Sequence, residues 1–120
     1  MDNFNLFKNQ YTINQRLTES NRVINKFPDR IPILCQRSLK DTNNLPYIDK
    51  HKYLVPKNLT IGQFLYVIRK RLKLSSEKAL FIFVYDHIPS TTQMVLDIYN
   101  KHKDIDGFLY LYYSCENVFG

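Results

Sequence analysis

Lys50, Lys52, Lys57, Arg69, Lys70, Arg71 and Lys73 crowd into the stretch KHKYLVPKNLTIGQFLYVIRKRLKL, and Asp49 is the only acid between positions 49 and 73. The rest of the sequence carries equal numbers of basic and acidic side chains, so the net charge of +6 resides here. A field this concentrated attracts and orients an acidic partner; it makes and breaks no bonds. Tyr53, Leu54 and Val55 lie between these cations. Apolar side chains framed by lysines suit a short acidic peptide, and a basic strand with aromatics nearby also suits nucleic acid or anionic lipid.

Other reactive residue types form no constellation. His51, His87 and His102 have no spacing that suggests a triad or a metal pair, and surface or loop positions are expected for them. Cys35 and Cys115 sit among strand-forming residues without zinc-ligand spacing, and they read as reduced thiols in a cytosolic protein rather than a disulfide. An enzyme is therefore not expected, and no metal or cofactor is implied. Gly120 is different in kind. A terminal glycine carboxylate, lacking a Cβ, can pass through a narrow enzyme cleft and be activated there. The start, MDNFNLFKNQ, has no signal-peptide pattern, and the apolar run from Ala79 to Tyr85 falls far short of the ~20 residues that span a bilayer.

The elements that must position these residues follow from periodicity. A chain of 120 residues with 44% hydrophobic residues, nine Tyr and eight Phe is expected to form one domain with a single core. The first ten residues read as a short helix packed on the domain or as a loose arm. Ile13, Leu17, Val23, Ile24 and Phe27 predict a helix with Thr12 as its cap and Pro28 as its stop. Arg30 to Arg37 alternates as a strand, in which Pro32 suggests an edge or a bulge. A polar turn leads to a second strand, His51 to Pro56, making a hairpin. Thr60 and Gln63 form a capping box for a helix to about Leu72, whose basic last turn also suits the helix dipole. Ala79 to Tyr85 predicts a buried strand. Met94, Val95, Ile98 and Tyr99 predict a short helix capped by Thr91 or Thr92, and Gly107 to Ser114 predicts a central strand. The class is mixed α+β.

Five blocks carry a further signal: Phe27-Pro28-Asp29-Arg30-Ile31-Pro32, Lys52-Tyr53-Leu54-Val55-Pro56, Leu59-Thr60-Ile61-Gly62-Gln63-Phe64, Ile68-Arg69-Lys70-Arg71 and Ala79-Leu80-Phe81. In this order and spacing the sequence resembles the autophagy ubiquitin-like modifiers of the GABARAP and light-chain-three type, from Phe27 to Phe119-Gly120 and more loosely from Ile13. The resemblance implies a ubiquitin-like β-grasp fold, a four-stranded mixed sheet with two additional N-terminal helices. Residues 1–26 would be the helical subdomain, 27–116 the core and 117–120 a flexible conjugation tail. It implies conjugation of Gly120 to phosphatidylethanolamine through activating and conjugating enzymes, with a cysteine protease for processing and release. Cytoplasmic and autophagosomal locations follow from that.

The resemblance also implies a groove for aromatic-x-x-aliphatic motifs on cargo receptors and adaptors. Its aromatic pocket would be Glu19, Val23, Pro32, Leu34, Lys52, Leu54 and Phe108. Its aliphatic pocket would be Tyr53, Val55, Pro56, Leu59, Phe64 and Val67. Arg30, Lys50, Lys52 and Arg71 would meet acidic flanks. Read without the resemblance, Val55, Phe64 and Val67 are ordinary core residues and the lysines a solvated face. The alternative function is a basic module that binds nucleic acid or anionic lipid, with no sequence-specific nucleic-acid motif to support it. Three departures from the family pattern stand out: a longer loop between the first two strands, His51 in place of a frequent lysine, and Gly107 in place of a common aromatic.

Overall fold

The computed structural model describes residues 3–41 and 45–116, the first four of these by backbone alone. Eight elements follow in order: α1 (Asn3–Gln10), α2 (Ile13–Lys26), β1 (Arg30–Arg37), β2 (Lys52–Pro56), α3 (Ile61–Leu72), β3 (Phe81–Phe83), α4 (Val95–His102) and β4 (Leu109–Ser114). The strands form one mixed sheet in the order β2-β1-β4-β3. β1 runs antiparallel to β2 and parallel to β4, while β3 runs antiparallel to β4. This is the ubiquitin-like α+β arrangement, with helices on both sheet faces.

Strand alternation assigns the two faces. Ile31, Ile33 and Cys35 join Leu109, Leu111 and Tyr113 beneath α3 and α4, where Phe64, Ile68, Val95 and Ile98 complete a core that excludes water. Pro32, Leu34 and Gln36 face the other way and are equally buried. That face is covered by α1 and α2, both of which contact β1. A strand covered on both sides has no polar face, which is why β1 is apolar almost throughout.

The helix starts are set by local chemistry. Thr12 and Gln15 form a reciprocal capping box at α2, and Thr60 and Gln63 form another at α3. Each satisfies two exposed N–H groups and contributes on the order of 1 kcal/mol. At the other end of α3, Arg69 donates from Nη1 to the carbonyls of Ser75 and Lys78 at 2.8 and 2.6 Å. One positive charge of the basic stretch thus ties down the loop that follows.

Several expectations need correction. Pro32 is in neither an edge strand nor a bulge, because β1 is interior. Cys35 N–H donates to His51 O, toward β2, so the nitrogen of Pro32, three residues earlier, points toward β4, whose pairing begins only at Ile33↔Leu109. The missing donor therefore costs no ladder bond. The strand expected from Ala79 to Tyr85 pairs only from Phe81 to Phe83, because the chain turns at Tyr85 (φ 51°) and Val84 and His87 exchange backbone hydrogen bonds. Neither Thr91 nor Thr92 caps α4. Its N-cap is Met94 without a side-chain bond, and the N–H of Val95 donates to Leu59 O at 2.8 Å. Thr91 serves α3 instead, its carbonyl accepting from Gly62 N–H at 2.9 Å. The last strand begins at Leu109 rather than Gly107, because Gly107 sits in a turn at φ +87°.

Residues 3–10 resolve toward the packed alternative. The Phe7 ring meets Phe108 edge-on at 5.3 Å between centroids, and Lys8 Nζ reaches Asp104 at 2.8 Å. Both cysteines are free, Cys35 fully buried and Cys115 half-buried. Burial pushes the Cys35 thiol far above its ordinary range, so it is inert as a nucleophile.

Candidate functional site: a basic groove along a free strand edge

β2 is an edge strand, and its backbone decides what the site can do. The bond from Cys35 N–H to His51 O fixes the alternation. Tyr53 and Val55 turn their main-chain groups toward β1, opposite Ile33 and Ile31. Lys52 and Leu54 turn theirs outward, toward the open edge. The outward carbonyl of Leu54 accepts from Arg30 Nη1 at 3.2 Å. An extended peptide could add here as a further strand.

Side chains alternate in the same way. Tyr53 lies inward with its ring against Phe64, 5.5 Å between centroids at 88°, while Leu54 is half-buried on the opposite face. Beside Leu54 is a hollow of 140 Å³ lined by Glu19, Val23, Pro32, Lys50, Lys52, Tyr53, Leu54 and Phe108. Six of the seven residues expected for an aromatic pocket are thus brought together from α2, β1, β2 and the residue just before β4. Leu34 is not among them; it is 2% exposed and buried under the helices. The residues expected for an aliphatic pocket divide. Tyr53, Val55 and Phe64 are core, whereas Pro56 and Val67 are exposed and Leu59 is half-buried. The first three can only form a floor beneath the last three.

The cations are already engaged, weakly. Lys50 Nζ lies over the Tyr53 ring at 5.2 Å and Lys52 Nζ over the Phe7 ring at 5.4 Å. Lys52 also reaches Glu19 Oε2 at 3.5 Å. Glu19 is held by Arg22 at 2.9 and 3.0 Å, and that bond, with Lys52 nearby, keeps its carboxyl below the ordinary carboxylate range. Arg71 forks onto Asp49 at 3.1 and 3.2 Å, which lowers the Asp49 carboxyl in turn. These exposed pairs are individually weak, so a partner's carboxylate can replace them at little cost.

Two features beside the hollow were invisible in the sequence reading. Phe7 of α1 covers the outer side of Phe108, so the first helix borders the hollow. Beneath it lies a buried ion pair: Arg16 Nη1 donates to Asp106 Oδ2 at 2.8 Å, and the Asp106 side chain is fully enclosed. The same carboxylate accepts from Tyr110 Oη at 2.5 Å and Phe108 N–H at 2.9 Å. Burial works against the Arg16 charge, but its bonds to Tyr110 and Asp106 outweigh this and raise its pKa. The Ser20 hydroxyl donates to Asp106 O at 2.6 Å. These bonds lock α2 onto the turn that presents Phe108. The sequence signal was slight: an Asp-Gly pair before an aromatic strand, with an arginine and a serine four apart on one helix face.

Among the described residues no group of three or more His, Cys, Asp or Glu is placed to hold a metal ion, and no helix is long and apolar enough to cross a membrane. Gly120, expected as the conjugation site, lies outside the described residues.

Comparison with known proteins agrees with this fold. The family described as "Autophagy protein Atg8 ubiquitin like" matches residues 15–120. Autophagy-related protein 8 of Mycosarcoma maydis is 54% identical over 114 residues, covering 95% of both chains. The Schizosaccharomyces pombe protein of the same name is 53% identical over 114 residues, covering 95% of this chain and 93% of its own. The crystal structure of Trypanosoma brucei ATG8 superposes with a TM-score of 0.85 at 40% identity, over 90% of this chain and 91% of that one. With more than half the residues shared along nearly the whole length, and the same fold, the chain belongs to the Atg8 family of ubiquitin-like autophagy proteins.

Proposed function

We propose that this chain is a modifier and adaptor without catalysis of its own: it is joined through Gly120 to phosphatidylethanolamine and recruits partners through the groove along β2. The observation that carries the adaptor half is the pairing of an open strand edge with a hollow beside Leu54, framed by Lys50 and Lys52. An aromatic side chain of a bound peptide fills the hollow. Side chains of an extended chain alternate, so the residue three positions on points to the opposite face, where an aliphatic anchor sits against Leu59, Pro56 and Val67. Acidic flanking residues exchange with Glu19 and Asp49 at the cations. Cargo receptors and adaptors with aromatic-x-x-aliphatic motifs are the partners this groove suits.

The conjugation half is supported by membership of the family and by the chemistry of a glycine carboxylate. An activating enzyme joins the Gly120 carboxylate to AMP from ATP, releasing pyrophosphate, and its cysteine thiolate then displaces AMP to give a thioester. The thioester passes to a conjugating enzyme, and the amine of phosphatidylethanolamine displaces the thiolate to give an amide. The lipid supplies the membrane anchor and divides the protein between cytoplasm and autophagosomal membrane; a cysteine protease hydrolyses the amide, water restoring the Gly120 carboxylate and freeing the lipid amine. In a reconstituted reaction with the activating and conjugating enzymes and vesicles, the wild-type chain acquires lipid and Gly120→Ala does not, while both bind a Trp-x-x-Leu peptide equally. Lipid transfer to the alanine variant at the wild-type rate would refute the assignment of Gly120.

A further inference from the structure

The main chain leaves the sheet where two distant segments meet. β4 ends at Ser114, paired with Phe81 of β3. Immediately beyond, the chain is gripped by Asp41 from the β1–β2 connection, a carboxylate residue only 8% exposed. Its Oδ2 accepts from the Ser114 hydroxyl at 3.1 Å and from Cys115 N–H at 3.2 Å, and Cys115 Sγ donates to Oδ1 at 3.9 Å. The Ser114 hydroxyl in turn accepts from Glu116 N–H at 3.2 Å. The carboxylate is itself braced, since Asp41 N–H donates to Ser38 O and Ser38 N–H to Tyr113 O, at 3.2 and 2.7 Å. Bonds to an ionised acceptor are among the stronger ones available. One side chain therefore holds two successive residues at the end of the last strand, and the third, Glu116, follows through the Ser114 hydroxyl.

We propose that Asp41 is a positioning residue for conjugation: it fixes the root of the C-terminal tail so that the tail leaves the body from one defined point. The inference rests on the conjugation reading above. Gly120 is four residues beyond Glu116, a reach of at most about 14 Å in extended chain. An enzyme that grips the body must find the glycine carboxylate within that radius of the anchor. Without Asp41 the last fixed point retreats toward β4, and the carboxylate samples a larger volume at lower effective concentration in the enzyme cleft. Only the competent fraction of tails can then be captured, so KM rises as the reciprocal of that fraction while kcat, set after seating, stays the same. The hollow of the groove lies at the Pro32 and Phe108 end of the sheet, and Asp41 at the Arg37 and Ser114 end. Peptide binding is accordingly untouched.

The test uses the full chain with its activating enzyme, measuring ATP–pyrophosphate exchange against protein concentration for wild type, Asp41→Ala, Asp41→Asn and Ser114→Ala. Asp41→Ala raises KM about fivefold, the reciprocal of a competent fraction near one fifth, at unchanged kcat. Asp41→Asn, which keeps one neutral acceptor, and Ser114→Ala fall between. Backbone amide exchange accelerates at Cys115 and Glu116, and affinity for a Trp-x-x-Leu peptide stays at the wild-type value, showing that the body is intact. Should Asp41→Ala lose peptide binding through unfolding, Asp41→Asn decides in its place. Equal KM for the wild type and a folded variant, or a fall in kcat at constant KM, overturns the positioning role while leaving conjugation standing. If the wild type itself is not activated, the conjugation reading fails and this inference falls with it.

Discussion

At the scale of single residues, the most consequential group is Asp106, for which the sequence carries only a slight signal. Its carboxylate is fully enclosed and satisfied by Arg16, Tyr110 and Phe108 N–H. Removing a buried partner leaves an uncompensated charge, so Arg16→Ala should destabilise the protein by about 3 kcal/mol in urea unfolding, whereas Tyr110→Phe should cost about 1 kcal/mol. A loss below that of Tyr110→Phe in the arginine variant would contradict the buried-pair account. Gly107 is a second case. At φ +87° a Cβ would approach Ser20 Oγ to 2.5 Å and Ser20 Cβ to 3.0 Å. A side chain at this position has no room, and Gly107→Ala should cost about 2 kcal/mol from strain and from displacing α2. His102 adds a pH dependence. Burial, then the neighbouring His87 ring at 5.3 Å, lowers its pKa below the ordinary 6.5. Because the folded value lies under the unfolded one, its contribution to stability is complete above pH 6.5 and is lost as pH falls through the lowered value. His87→Ala should move the His102 titration upward in an NMR pH series; no movement would contradict the pairing.

At the scale of elements, the strand edge and the helix beside it carry the binding argument. β2 leaves the main-chain groups of Lys52 and Leu54 open, and Leu54 borders the hollow. Leu54→Ala should lower affinity for a Trp-x-x-Leu peptide about tenfold by calorimetry, in keeping with the loss of a buried leucine side chain. Lys52→Glu should weaken an acidic peptide and spare one with neutral flanks; equal losses for both would contradict a charge-reading role. Much of this element structure was legible beforehand. The alternation of Ile31, Ile33 and Cys35 against Pro32, Leu34 and Gln36 gave β1 to the residue, and Thr12 as a cap and the Thr60–Gln63 box marked both helix starts, because these signals are local. Where the reading failed, a distant segment decided. Thr91 turned out to serve α3 rather than cap α4, and Pro32 stood in an interior strand because β4 begins pairing just past it. The contacts of Phe7, Asp106 and Asp41 join segments far apart in sequence, and periodicity is blind to them.

At the scale of the whole molecule, charge and shape divide the labour between two ends of one sheet. The hollow lies toward the end of the sheet where Pro32 and Phe108 stand, and β4 ends at the other, where Asp41 holds Ser114 and Cys115. The basic stretch alone would fit a nucleic-acid binder equally well, but affinity of that kind falls steeply with salt and ignores Leu54. The deciding measurement is a titration of isotope-labelled protein with an acidic Trp-x-x-Leu peptide at modest salt, following backbone amides. The account predicts saturable shifts at Leu34, Lys52 to Val55, Phe64 and Phe108 that vanish when the peptide's Trp and Leu become Ala. Shifts confined to the basic residues and insensitive to those two alanines would contradict it.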